Sequence, residues 1–180
     1  MAARKSKRLV IDASVARAAG GEDASHPTSK HCRDFLEAIR RICHQIVITP
    51  EIGEEWKRHQ SKFARQWLVS MTAKKKARRL GNVTDNGLRD KVERSIVEMK
   101  ENDREAIRKD FRLIEAAIAT DRIVISLDET ARALFAAAVR SVGKLKNIVW
   151  VNPSRPGEEL ILWLANGAKP EKRRLLGFRI

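Results

Sequence analysis

The chain lacks the long apolar runs of a membrane-spanning helix. No stretch approaches the roughly 18 consecutive apolar residues that such a helix needs. The N-terminal residues MAARKSKRLVID also lack the apolar core of a secretory signal. We therefore expect no membrane partner and a cytoplasmic location.

Cysteine is scarce. The two cysteines, Cys32 and Cys43, are eleven positions apart on one predicted helix. That spacing corresponds to about 16 Å along the axis, too far for a disulfide within a straight helix. We expect reduced thiols, as is usual in cytosolic proteins. The four histidines show no metal-ligand spacing with these cysteines, so no zinc site is predicted.

Acidic residues are missing from one long stretch. Residues 56–84 contain no Asp or Glu but nine Lys or Arg, and the whole chain carries a net charge of +14. A positive field of this size favours polyanionic partners, with nucleic acid first among them. The predicted nucleic-acid contacts are Lys57, Arg58, Lys74, Lys75, Lys76, Arg78 and Arg79. The alternative is a face that only keeps the protein in solution.

Short β-branched runs alternate with helical patterns along the chain. Four runs, at 9–11, 46–48, 123–125 and 148–151, are apolar throughout, as in strands that are buried on both faces. Their alternation with helices predicts an α/β fold. We expect a mostly parallel central sheet of about four to five strands, flanked by helices.

The domain organisation follows from the same pass along the chain. We find neither an internal repeat nor an interdomain linker in the 180 residues, so one domain over residues 9–168 is predicted. It contains a basic helical insertion at 56–105. Basic tails at 1–8 and 169–180 precede and follow it.

Two of the predicted strands are followed by an aspartate. Asp12 comes directly after the first strand, and Asp128 comes shortly after the third. Ligands bind at the carboxyl ends of strands in open α/β sheets. Each aspartate also has a simpler explanation, as a cap of the helix that follows it.

Two further acids lie on predicted helices. Asp110 adjoins the helical apolar series of Ile107, Phe111 and Ile114, and Glu55 is one turn into the helix after the second strand. Converging carboxylates repel one another unless a cation lies among them, and oxygen ligands suit Mg²⁺ or Mn²⁺. A metal site beside a basic surface predicts a nuclease. For Asp110 the alternative is a helix-start acid that interacts with the helix dipole.

Four segments resemble motifs of the PIN-domain nucleases. They are LVIDAS at 9–14, VITPEIGEEW at 47–56, KDFRLIEAAIA at 109–119 and IVISLDE at 123–129. The segments occur in the family's order and with its separations, and the resemblance spans about residues 8 to 151. It implies a PIN-like α/β fold, Mg²⁺- or Mn²⁺-dependent cleavage of RNA phosphodiester bonds, and often a homodimer.

The resemblance also implies roles for individual residues. The metal ligands would be Asp12, Asp110 and Asp128. Glu55 would be the fourth catalytic acid, with Ser14 and Ser126 as supporting hydroxyls. Glu54 is the rival for the role of Glu55; since adjacent helical residues differ by about 100° in direction, only one of them should face the site.

Other functions remain open at this point. Many small members of the family are toxins that an antitoxin protein neutralises, although the insertion and the C-terminal extension depart from their pattern. DNA is an alternative substrate. A catalytically weak or inactive PIN-like module that binds RNA or protein is the alternative to an enzyme. A phosphatase-like hydrolase is disfavoured, because Asp12-Ala13-Ser14 lacks the second aspartate that such an enzyme needs.

Overall fold

Five parallel strands form one sheet in the order β3-β2-β1-β4-β5. In this computed structural model, which describes residues 6–21 and 23–179, the strands are β1 Arg8–Ile11, β2 Gln45–Ile48, β3 Ala77–Arg79, β4 Ile123–Ile125 and β5 Val149–Val151. The predicted α/β architecture is confirmed, and it is consistent with a PIN-like fold. Most of the predicted N-terminal tail, residues 1–5, lies outside the described residues.

Eight α-helices flank the sheet in the described part of the chain. They are α1 Ala13–Ala18, α2 Pro27–Arg41, α3 Pro50–His59, α4 Lys62–Ala73, α5 Asn86–Ser95, α6 Glu101–Ile118, α7 Glu129–Ala138 and α8 Leu160–Ala165. None of these helices combines the length and the apolarity that crossing a membrane requires.

The strand β3 lies inside the segment that was predicted as a helical insertion. It pairs with β2 at the edge of the sheet, with Ala77 opposite Ile46 and Arg79 opposite Ile48. Arg78 and Arg79 are exposed, and since successive side chains of a strand point to opposite faces, neither face of the sheet is fully covered at this edge. The predicted basic helical insertion therefore also contains one strand. No buried apolar run marks this strand in the sequence.

The C-terminal basic segment packs onto the sheet rather than extending from it as a tail. Leu175 forms an antiparallel bridge with Val149, and the Leu176 N–H donates a 2.9 Å hydrogen bond to the Ile148 carbonyl. Leu176 and Arg174 are buried. The packed structure thus continues beyond residue 168.

Candidate active site

Asp12 is held at the point where β1 ends. Its N–H donates to the Ile125 carbonyl at 2.9 Å, which ties the end of β1 to the end of β4. Its carboxylate is 7% exposed, and Oδ2 accepts hydrogen bonds from Ser14 Oγ at 2.5 Å and Ser126 Oγ at 3.1 Å. The side chain makes no capping bond to α1. The two serines therefore orient Asp12, and the alternative of a simple helix cap does not hold.

The same two serines also connect Asp12 to the loop after β4. Ser14 Oγ accepts the Leu127 N–H at 3.3 Å, and Ser126 Oγ accepts the Asp128 N–H at 3.1 Å. Each hydroxyl therefore donates to a carboxylate and accepts from the backbone of this loop. Asp12 and Asp128 are positioned by one shared network.

Asp128 combines two roles that the sequence presented as alternatives. Its Oδ1 accepts the Ala131 N–H at 2.8 Å and so caps α7. The residue also lines the same cleft as Asp12. The cap fixes the carboxylate through one oxygen and leaves Oδ2 for other partners.

Asp110 projects from the middle of α6, a helix that packs on β1 and β4. It is 6% exposed. Burial, followed by the negative charges of Asp12 and Asp128, raises the pKa of Asp110 to about 6, against the opposing charges of Arg112 and Lys109. A mid-helix position excludes the helix-start explanation. Asp12 and Asp128 lie close enough for their charges to raise the pKa of Asp110.

Glu55 enters the cleft from α3. Thr49 begins this helix by accepting the Ile52 N–H at 3.3 Å, and Pro50 is its first residue. Glu55 lines the cleft with the aspartates, whereas Glu54 lines only the neighbouring groove. The two adjacent glutamates point in different directions, and Glu55 is the one beside the aspartates.

The resulting cleft has a volume of about 200 Å³. Its lining combines four acids with several bases, namely Asp12, Ala13, Ser14, Arg17, Glu55, His59, Lys109, Asp110, Arg112 and Asp128. The four acids come from four separate segments of the chain. Ser126, fully buried, contacts Asp12. All six acids and hydroxyls predicted for the site are thus brought together.

Arg112 is a cleft residue that sequence reasoning missed. Its Nη2 lies 3.9 Å from Asp110 Oδ1 and 4.0 Å from Glu55 Oε2. Residues two apart on a helix do not face each other, so its spacing from Asp110 gave no signal. The length of the arginine side chain brings the guanidinium back to the acids.

The predicted basic patch does not adjoin this cleft. Lys74 and Lys75 precede β3, so they lie at the amino-terminal edge of the sheet, whereas the acids lie at its carboxyl edge. Lys76 donates through Nζ to the carbonyls of Arg40 and Ile42 and so caps the end of α2. Its ammonium holds the fold together rather than facing a ligand.

The other members of the predicted patch lie on different secondary-structure elements. Arg78 and Arg79 are exposed on the edge strand β3, and Lys57 is exposed on α3. Arg58 lies beside one of the acids, with Nη1 3.6 Å from Glu55 Oε1. These bases are close together in the sequence, but they do not form one surface in the folded chain.

A second groove adjoins the cleft and shares Glu55, Lys109 and Arg112 with it. Its volume is about 540 Å³, and five basic residues face three glutamates there: Arg58, Arg89, Arg108, Lys109 and Arg112 against Glu51, Glu54 and Glu55. Arg89 pairs with Glu115 at 2.7 Å and Arg108 with Glu93 at 2.7 Å. These pairs hold two of the arginines at the groove wall. This groove could not be predicted from the sequence, because the basic residues of α5 and α6 alternate with acidic ones.

The donor chemistry of the cleft suits a hard divalent cation. Carboxylate oxygens are the ligands that Mg²⁺ and Mn²⁺ prefer, and a cation would relieve the repulsion that raises the pKa of Asp110. Within residues 6–21 and 23–179, no three acid, histidine or cysteine side chains already stand in an arrangement that would hold an ion. Mg²⁺ retains several waters and needs only one or two carboxylates from the protein. The donors therefore fit, although they are not preassembled.

No family model matches the chain, and no curated protein matches it in sequence.

Proposed function

We propose that the protein is a PIN-like, Mg²⁺- or Mn²⁺-dependent ribonuclease that hydrolyses RNA phosphodiester bonds in this cleft. The observation that supports it is the convergence of Asp12, Glu55, Asp110 and Asp128, from four segments of the chain, into one cleft. Such a group of carboxylates has no evident use in a protein that only binds polyanions. A cytoplasmic location is part of the proposal.

The hydrogen bonds of the cleft suggest which atoms would hold the ion. Asp12 uses Oδ2 for the two serines, and Asp128 uses Oδ1 for its cap. Each keeps one carboxylate oxygen for a ligand. Asp12 and Asp110 would be direct ligands, while Asp128 and Glu55 would complete the shell or orient water. A bound divalent ion would supply an activated water and shield the charge of the phosphate.

The bases around the acids would hold the substrate. Arg17 and Lys109 line the cleft, and cationic side chains there would contact the phosphates that flank the scissile bond. The adjoining groove would receive the RNA backbone, since it opens into the cleft at Lys109 and carries more bases than acids. This groove replaces the patch around Lys74 as the proposed nucleic-acid surface.

One observation favours the second candidate, a module that binds RNA without cutting it. Arg112 lies near both Glu55 and Asp110, and a built-in cation reduces the need for a metal ion. Such a module would bind RNA equally well with chelator present. Metal-dependent cleavage is therefore the property that separates the two candidates.

The test is to incubate the protein with end-labelled single-stranded RNA or DNA of the same sequence, in Mg²⁺, Mn²⁺ or chelator. We expect cleavage of RNA with either metal and none with chelator. Asp12→Asn and Asp110→Asn should each reduce the rate at least about 100-fold, more than the loss of an outer-shell partner. Asp90→Asn, at an exposed acid on α5, is the matched control. Parental rates in both cleft variants would disprove the assignment.

A further inference from the structure

The guanidinium of Arg112 sits between two carboxylates without being bound tightly by either. Its Nη2 lies 3.9 Å from Asp110 Oδ1 and 4.0 Å from Glu55 Oε2, and the side chain is 11% exposed. Nη1 donates to the Lys109 carbonyl, and Nε is buried with no hydrogen-bond partner in the described part of the chain. A separation near 4 Å is beyond hydrogen-bond length. The contact is therefore one of charge and lacks the directional bonds of a locked ion pair.

Arg89 and Glu115, which lie in the same region, form a tightly bonded ion pair. Arg89 donates to both oxygens of Glu115, at 2.8 and 2.7 Å. Bidentate bonds of this kind fix both side chains. Arg112 has no such bonds with Glu55 or Asp110, so a stronger cation that replaces it beside these two acids breaks no hydrogen bond between them.

The cleft needs positive charge, and Arg112 supplies it permanently. A guanidinium stays protonated at every pH at which proteins fold. Its charge opposes the effect of burial and of Asp12 on Asp110. A divalent ion bound to Asp110 would do the same with twice the charge, and the two cations would repel each other.

We propose that Arg112 is a positioning residue that neutralises Glu55 and Asp110 until a divalent cation takes its place, and that it thereby sets the metal affinity of the cleft. The inference rests on the proposed function. Room for the displaced side chain exists, because Arg112 also lines the large groove and a third cavity of about 220 Å³ beside Glu51. In the groove the guanidinium would meet the phosphates of the substrate.

The test is a calorimetric titration of the full chain with Mn²⁺, without RNA. Arg112→Gln removes the competing charge, so we expect its dissociation constant to fall at least about tenfold, which is about 1.4 kcal/mol. Arg58→Gln is the matched control. Arg58 also approaches Glu55, but its side chain is 65% exposed, and exposed pairs contribute little, so a change within about twofold is expected.

The outcomes separate this inference from the proposed function. Unchanged or weaker Mn²⁺ binding by Arg112→Gln, while Asp110→Asn loses binding, would overturn the inference alone. If neither the parent nor Arg112→Gln bound Mn²⁺, the proposed function would fail as well. Should Arg112→Gln not fold, Arg112→Met keeps an apolar stem, and its Tm should rise more with Mn²⁺ than that of the parent. An equal or smaller rise contradicts the inference.

Discussion

The indole Nε1 of Trp56 donates a 2.8 Å hydrogen bond to the carbonyl oxygen of Ile11. Trp56 follows Glu55 in the chain, and Ile11 precedes Asp12. Trp56 is fully buried and stacks on Trp67 with 6.0 Å between ring centroids. One hydrogen bond from a rigid core residue thus sets the position of α3, and with it Glu55, relative to Asp12.

Replacing Trp56 with Phe should lower both stability and activity. The substitution keeps a ring but removes the donor to Ile11, and an unpaired buried acceptor costs about 1–3 kcal/mol. Trp150→Phe is the matched control, because Trp150 is equally buried and its Nε1 has no hydrogen-bond partner among residues 6–21 and 23–179. Urea unfolding and RNA cleavage measure the two effects. A loss of activity no larger than that of Trp150→Phe would contradict the positioning role.

Replacing Ser126 with Ala should weaken metal binding and slow cleavage. Asp12 loses one of its two hydroxyl donors, and the Asp128 N–H loses its acceptor. Removal of such an outer-shell partner typically costs about 10- to 100-fold in affinity or activity. Mn²⁺ calorimetry and cleavage rates are the measurements, with the exposed Ser141→Ala as control. Equal Mn²⁺ affinities for Ser126→Ala and parent would show that the network does not orient Asp12.

Asp110 should make the metal-free protein less stable as the pH rises. Its pKa is raised from 3.8 to about 6, first by burial and then by the charges of Asp12 and Asp128. The native state therefore binds the proton more tightly than the unfolded state. The stability that this proton contributes is complete below pH 4 and is lost as the pH rises through 6.

The size of this effect can be measured with Asp110→Asn. A pKa change of this size corresponds to about 3 kcal/mol in the buried site. The variant should be more stable than the parent at pH 7 in chelator, and the difference should shrink towards pH 4. Denaturant unfolding at several pH values tests this. If the difference in unfolding free energy between variant and parent did not change with pH, the ionised Asp110 carboxylate would not destabilise the metal-free protein.

RNA binding should depend on Lys109 and not on the lysines at the opposite edge of the sheet. Lys109 lines both the cleft and the groove, whereas Lys74 and Lys75 precede β3. Lys109→Gln should weaken binding of RNA in chelator and reduce the salt slope by about 1, as expected for one lost phosphate contact. The Lys74→Gln/Lys75→Gln double variant should bind like the parent. The reverse result would restore the patch that the sequence predicted.

Local sequence patterns predicted the central strands and the segments that carry the acids. The runs at 9–11, 46–48 and 123–125 can be recognised as strands because strands covered on both faces are apolar at every position. Thr49-Pro50 at the start of α3 is a local signal that does not depend on the rest of the chain. The position of Asp12 directly after such a run is also local, but only its hydrogen bonds to Ser14 and Ser126 exclude a simple helix cap.

The edge strand and the directions of the basic side chains depend on contacts between residues that are far apart in the chain. β3 becomes a strand through its pairing with β2, and its exposed arginines carry no strand pattern. Lys76 turns to carbonyls more than thirty residues away, at Arg40 and Ile42. Long basic side chains take their direction from whatever the folded chain brings within reach, and local periodicity does not encode that partner.

The cleft likewise combines residues that the sequence predicted with one residue that it did not. Strand order brings Asp12 and Asp128 together, because neighbouring parallel strands end at one edge, and the packing of α6 on β1 and β4 adds Asp110. The sequence gave no sign of Arg112, which reaches Glu55 on another helix only after α3 and α6 have packed together. Asp12 and Asp128 follow from strand order, whereas the cation between Glu55 and Asp110 follows from the packing of two helices.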